Sequence, residues 1–270
     1  SLLLITYTPS LMGQVEPGEE IITAVLELGI APPTNAPPRG NQGEGPFTKL
    51  VIKDAYYLDG TGSPVQGPVD IIVEQDRIAK IVGAGTGSLH GAADDYGENT
   101  KIIDAKGKFV LPGFIDAHTH LGTPTHGLTG RLTHPEYVLK LWLGHGITTV
   151  REVGALMGLE WTLDHKNRSE KGEIVAPRIL VHPVFPEQMK TPETARAWVQ
   201  AVKKKGADGV KFLGGSPKMV EAAIKEASRL GMRTAYHHSQ ISVSRINVLT
   251  SARWGLTSME HWYGLPEAMF

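Results

Sequence analysis

From Leu50 onward, apolar and polar residues alternate in short runs, LVIKDAYYLD, VDIIVEQDRIAKIV and KIIDAKGKFVL. Turn signals at Asp59-Gly60 and Gly62-Ser63-Pro64 separate the first two runs. Period-two alternation bounded by turns predicts strands joined by hairpins, hence a small antiparallel, β-sandwich-like domain over residues 48–111. Beyond Gly113 the rhythm changes. Six β-type runs, FIDAHTHL, ITTVREV, RILVHPVF, GVKFL, MRTAYHH and LTSMEHW, alternate with stretches of helical periodicity. Val220, Ala223, Ile224, Ala227 and Leu230 mark one buried helical stripe. Thr191-Pro192-Glu193 and Ser216-Pro217 place a capping residue before a proline at the first helical position, and Gly206 and Gly231 stand where those helices should stop. Repeated βα units imply a parallel sheet flanked by helices, an α/β fold.

Residues 1–47 read differently. Ser1-Leu2-Leu3-Leu4-Ile5 has the character of the end of a signal-peptide hydrophobic region, or else of an ordinary buried start, so cytoplasmic and exported or periplasmic locations both stay open. A short helix is expected around Glu19 to Leu28. The stretch from Ala31 to Phe47, dense in Pro, Gly and Asn, reads as a linker or a surface arm.

Composition narrows the chemistry. The chain has 270 residues, a formal net charge of −1 and 41% hydrophobic residues, without the basic excess of a nucleic-acid binder. A small-molecule substrate is therefore the expected partner, and self-association stays open. No apolar run approaches the roughly 20 residues that cross a bilayer. With no cysteine, any metal must be held by His, carboxylate or modified Lys.

The order of elements could build an open doubly wound sheet, but no glycine-rich phosphate loop follows the first strand and histidines recur at strand ends instead. An incomplete (β/α)8 barrel of about six units, spanning 112–270, fits better, because barrel chemistry gathers at the C-terminal ends of strands. There lie His118, His120, Lys211, His237 and His261. In a strand, alternate side chains share a face, so His118 and His120 project together with Asp116 and can grip one metal. His237 and His238, being adjacent, should face opposite ways. His126, after the first strand, and His182, near the end of the third, are weaker candidates for touching substrate.

The segment VLPGFIDAHTHLG, following the hairpin and IIDAKGKFV and preceding GITTVREVG, resembles the amidohydrolase superfamily, with Glu152 standing where that family would place Asp. The resemblance runs from about Leu50 to Leu265. It implies a centre of two divalent ions, zinc by preference, bound by His118, His120, His237 and His261, with Lys211 carboxylated into an anionic bridge. Alignment with the family motif favours His237 over His238. The implied reaction is hydrolysis of an amide carbon–nitrogen bond by metal-activated hydroxide, as in prolidase-like and imidazolonepropionase-like members. Lactone or phosphoester cleavage, or metal binding without catalysis, are the alternatives. The family's proton-transferring Asp, at the end of an eighth strand, would lie beyond Phe270, so the isolated chain is expected to be inactive, with no catalytic residue of its own.

Overall fold

The computed structural model describes residues 15–27, 29, 34–86, 95–122 and 134–269. They form two compact units: Gly40–Gly113, and the residues up to Arg39 together with those from Phe114 onward.

Within Gly40–Gly113, strands β1 (Lys49–Tyr57), β2 (Gln66–Glu74), β3 (Arg77–Gly83), β4 (Thr100–Asp104) and β5 (Phe109–Val110) make one five-stranded sheet in the order β3-β2-β1-β4, with β5 also on β1. β1, β2 and β3 are antiparallel neighbours, as hairpin signals require. β4 and β5, however, pair with β1 in parallel. The antiparallel domain expected from the alternation is thus a single mixed sheet. The long connection from Gly83 to Thr100 lets the chain return in the same direction, which a tight turn cannot do. Its core is Val51, Ile72 and Tyr96. The buried carboxylate of Asp70 accepts from the Asp54 and Gly85 amides and from the Tyr96 hydroxyl, 2.7–3.0 Å away.

The other unit contains β6 (Phe114–Thr119), α2 (Pro135–Gly144), β7 (Ile147–Gly154), α3 (Leu159–Glu170), β8 (Arg178–Pro183), α4 (Pro192–Lys205), β9 (Gly209–Phe212), α5 (Pro217–Arg229), β10 (Arg233–His237), α6 (Val248–Trp254) and β11 (Ser258–Glu260), with α1 (Glu20–Glu27) before them. All six runs read as strands from the alternation are strands. They are parallel and neighbour one another in chain order, as sheets β6-β7-β8 and β9-β10-β11. A parallel bridge from Val184 to Lys211 joins the two sets, reinforced by the Phe185 amide on the Lys211 carbonyl at 2.7 Å.

The helices follow their sequence signals. Thr191 and Thr194 form a capping box at the start of α4, and Gly206 ends that helix in the left-handed region at φ 111°. On α5, Val220, Ala223, Ile224 and Ala227 are fully buried in the main core, and Leu230 packs against it. Burial of Val220 and Ile224 contributes about 1.5–3 kcal/mol each. The N-terminal segment is fastened to α3 and the loop after it: His165 Nε2 accepts from the Ala36 amide at 3.0 Å, Arg168 donates to the Ala36 carbonyl at 2.8 Å, and the Arg39 amide reaches the Glu173 carbonyl at 2.7 Å. Among the described residues, no helix is long and apolar enough to cross a membrane.

Candidate metal centre

Register decides which side chains meet. In a parallel pair, directly opposed residues share a face. Lys211 opposes Ala235, Ala235 opposes Ser258, and His237 opposes Glu260, so these side chains line one face of β9-β10-β11. Phe212, Tyr236 and His238 take the other. His238 is fully buried there, its Nε2 2.8 Å from Ser251 Oγ and its ring stacked on Tyr236 at 4.0 Å. The choice between the two histidines therefore has a structural ground: His237 joins the cluster and His238 belongs to the helix-facing core.

Four of the five histidine and lysine candidates are tied together by ring contacts. The His118 ring lies 5.3 Å from His120 and 4.3 Å from His261, and His261 lies 4.7 Å from His237, centroid to centroid. His261 reaches this position by an irregularity that alternation does not foresee. As the neighbour of inward-facing Glu260, it would point outward in a continuing strand. Instead His261 and Trp262 take left-handed conformations, φ 61° and 59°, and the bend places the His261 ring with the others. Two non-glycine residues at positive φ cost on the order of 1–3 kcal/mol each, and such strain is characteristic of functional sites. Tyr263 stacks on His237 at 5.2 Å and Trp262 on Tyr263 at 5.4 Å, forming an aromatic wall beside the imidazoles.

Lys211 is 2% exposed and its Nζ has no hydrogen-bond partner among the described residues. Burial lowers its pKa to about 8, against the opposing pull of Glu260. The same desolvation, followed by the nearby His261 and Lys211, lowers His237 to about 4. His261 is likewise lowered by burial and by His118. These groups are thus held toward their neutral forms, which carry the lone pair a metal needs.

Two buried carboxylates that the sequence reading gave no site role complete the cluster. Glu260 receives His118 Nδ1 on Oε2 at 2.5 Å, and Arg151 Nη2 and Ser258 Oγ on Oε1 at 2.6 and 2.7 Å. Burial alone would push its pKa up, but these partners hold it down at about 2. Arg151 is therefore the ion-pair partner of Glu260. Glu152, in the place where Asp was expected, accepts the Leu121 amide at 2.5 Å and the Ala155 amide at 3.1 Å, and lies 3.7 Å from His120 Nδ1. It secures the chain on leaving β6 and β7. A carboxylate near the C-terminal end of a strand was the available signal for both.

The weaker candidates fare differently. His126 lies outside the described residues. His182 is 2% exposed, neither ring nitrogen has a partner among the described residues, and burial together with Arg151 lowers its pKa to about 4. It is a buried residue of β8. Asp116 accepts the His118 amide at 3.1 Å and is only half-buried.

In kind, the donor set fits a divalent metal: imidazoles from three strand ends and a buried lysine nitrogen without a partner among the described residues. In place, it forms a neighbourhood and not a finished shell, since among the described residues no three His, Asp or Glu groups already stand as a metal-holding set.

The amidohydrolase family model matches residues 101–142, which carry His118 and His120. A dihydroorotase from Aquifex aeolicus is 38% identical over 76 residues, 28% of this chain and 15% of that protein. An adenine deaminase from Bacillus licheniformis is 25% identical over 210 residues, 69% of this chain and 33% of that protein. The chain thus spans a third or less of these relatives. A Xaa-Pro dipeptidase structure with methionine in its active site superposes with a TM-score of 0.60 at 20% identity, over 79% of this chain and 61% of that one, which shows a shared fold. The family match over residues 101–142, the sequence relatives and the order of strands and histidines all support a likeness to the amidohydrolase superfamily.

Proposed function

We propose that this chain carries the metal-binding core of a hydrolase that cleaves a carbon–nitrogen bond in a small amide, such as a dipeptide, an N-acyl amino acid or a cyclic amide. The observation that carries the proposal is the gathering of His118, His120, His237 and His261 about one strand-end cluster, beside a buried lysine without a partner among the described residues. The names of the relatives support the bond class: a dihydroorotase, an adenine deaminase and, in fold, a dipeptidase. The six sequentially ordered parallel strands are read as six units of a (β/α)8 barrel, a reading supported by that fold likeness.

His118 and His120 would hold one divalent ion and His237 and His261 a second, with zinc suited to neutral imidazole. Lys211 would lie between them as a carbamate. Its pKa of about 8 leaves a large neutral fraction at mildly alkaline pH, and the neutral amine is the form that adds carbon dioxide. When bound, the ions would lower the pKa of water from about 16 towards 7 and polarise the scissile carbonyl. Tyr263 and Trp262 would form an apolar wall for the substrate. Glu152 and Glu260 are committed to other donors and are poorly placed to carry a proton, so the isolated chain is expected to bind metal without turning over.

Metal analysis after loading with zinc and bicarbonate tests this reading. About two ions per chain are expected, with His118→Ala and His237→Ala each losing about one, and Lys211→Ala losing the dependence on bicarbonate. Uptake that none of these substitutions changes would overturn it. A panel of amide and ester substrates, given to the chain and to any longer form of the protein, then reads the bond class.

A further inference from the structure

We propose that Glu260 is the positioning residue of this centre, fixing His118 with its proton on Nδ1 so that Nε2 is presented as the donor atom. The inference deepens the proposed function and rests on His118 being a metal ligand.

The geometry is closed on both oxygens of the carboxylate. Oε2 faces His118 Nδ1 at 2.5 Å, and that nitrogen can only be held by a carboxylate if it carries the proton. Oε1 takes Arg151 Nη2 and Ser258 Oγ, which prevents the carboxylate from rotating away. Arg151 is fixed in turn by Nη1 on Ser258 Oγ at 2.8 Å and Nε on the Ala117 carbonyl at 2.5 Å. The bonds therefore run from Ala117 and His118 on β6, through Arg151 on β7, to Ser258 and Glu260 on β11, and back to His118. Glu260 itself is 5% exposed, so little water competes for these contacts. Backbone register supports the placement, because Glu260 opposes His237 on β10 and so faces the cluster.

Two simpler roles are distinguishable from this one. A strut for Arg151 alone would not need His118 on its second oxygen. A direct metal ligand would have to share its oxygens between the ion and three existing donors. A histidine whose remote N–H is held by a carboxylate is fixed in tautomer and ring orientation, and loss of such a partner weakens metal binding about 10–100-fold. Glutamine cannot replace this glutamate silently, since one end of the amide is a donor and must face either His118 or the Arg151–Ser258 pair.

The test uses the whole chain and zinc alone, with affinity read by competition against a chromophoric chelator, for the native protein, Glu260→Gln, His118→Ala and the double variant. A 10–100-fold weaker affinity in Glu260→Gln, with the double variant no weaker than His118→Ala, supports the positioning role. Native affinity in Glu260→Gln overturns it, and so does an equal further loss in the His118→Ala background, which would make Glu260 a ligand or a strut. Should His118→Ala bind zinc as the native chain does, the metal reading itself fails. Imidazole ¹⁵N shifts of His118 in the metal-free chain at pH 8 give an independent readout: the Nδ1–H tautomer is expected in the native protein and a mixture in Glu260→Gln, while a native Nε2–H tautomer overturns the inference without touching the metal reading. If Glu260→Gln does not fold, Glu260→Asp retains the charge and Arg151 while withdrawing the carboxylate from Nδ1, and takes its place in each comparison.

Discussion

His237 and His238 are neighbours in sequence with opposite surroundings. Removing the His238 ring would open a cavity in the core, strip Tyr236 of its stacking partner and leave Ser251 without its imidazole. Large-to-small changes at such sites cost about 2–4 kcal/mol. His237 is half-buried at the cluster's edge, held there by its Tyr263 stack. Urea unfolding of the metal-free chain should show His238→Ala losing about 2–4 kcal/mol and His237→Ala under about 1 kcal/mol, whereas zinc binding should fall only in His237→Ala. The reverse pattern would exchange their roles. Alternation and the family motif made this pair legible from the sequence. His261 was legible only through the motif, because its inward position depends on two left-handed residues that no local pattern announces. Glu260 was not read at all, since its partners come from β6 and β7, far away in the chain.

At the scale of elements, the strands were readable because each unit opens on a β-type run, and two of the helices because a capping residue stands before a proline at Thr191 and Ser216. What the pattern omits is who pairs with whom. β4 and β5 carry ordinary strand composition, and their parallel pairing with β1 arises from a long connection. The approach of β8, β9 and β10 is similar, for it depends on one missing atom. A Cβ added to Gly209 would lie 2.1 Å from His182 Cδ2, 2.2 Å from its Nε2 and 2.5 Å from the Arg233 carbonyl oxygen. Glycine is thus required at Gly209 by closeness, not by backbone angle. Gly209→Ala should destabilise the chain by at least about 1–3 kcal/mol through overpacking. His182→Ala in the same chain should relieve only part of that loss, because the Arg233 carbonyl remains in the way. Denaturant midpoints of the three variants read the result, and an unperturbed Gly209→Ala would refute the close approach of these strands.

Across the whole molecule, the cluster and the core share one electrostatic liability, the burial of bases in neutral form. His182, His237 and His238 all sit near pKa 4, each mainly because burial disfavours the imidazolium. Unfolding returns each to about 6.5. Above pH 6.5 both states hold these rings neutral and they cost nothing. As pH falls from 6.5 towards 4, the unfolded chain takes up protons that the folded chain refuses, so stability falls, by up to about 1.4 kcal/mol per pH unit for each fully buried ring. Below about 4 the folded rings also charge and the loss levels off. Glu19, Glu20 and Glu187, pushed up by burial, act in the opposite sense. The net expectation is a metal-free chain whose urea midpoint drops steeply between pH 6.5 and 5. His182→Asn should reduce that slope by about one ring's share. Zinc should steepen it, because the imidazoles that hold the ion must stay unprotonated and binding competes directly with acid. A midpoint that stays flat across this range, with and without zinc, would mean that the histidines are solvated and freely titrating, which is incompatible with the buried, converging cluster on which the proposed function depends.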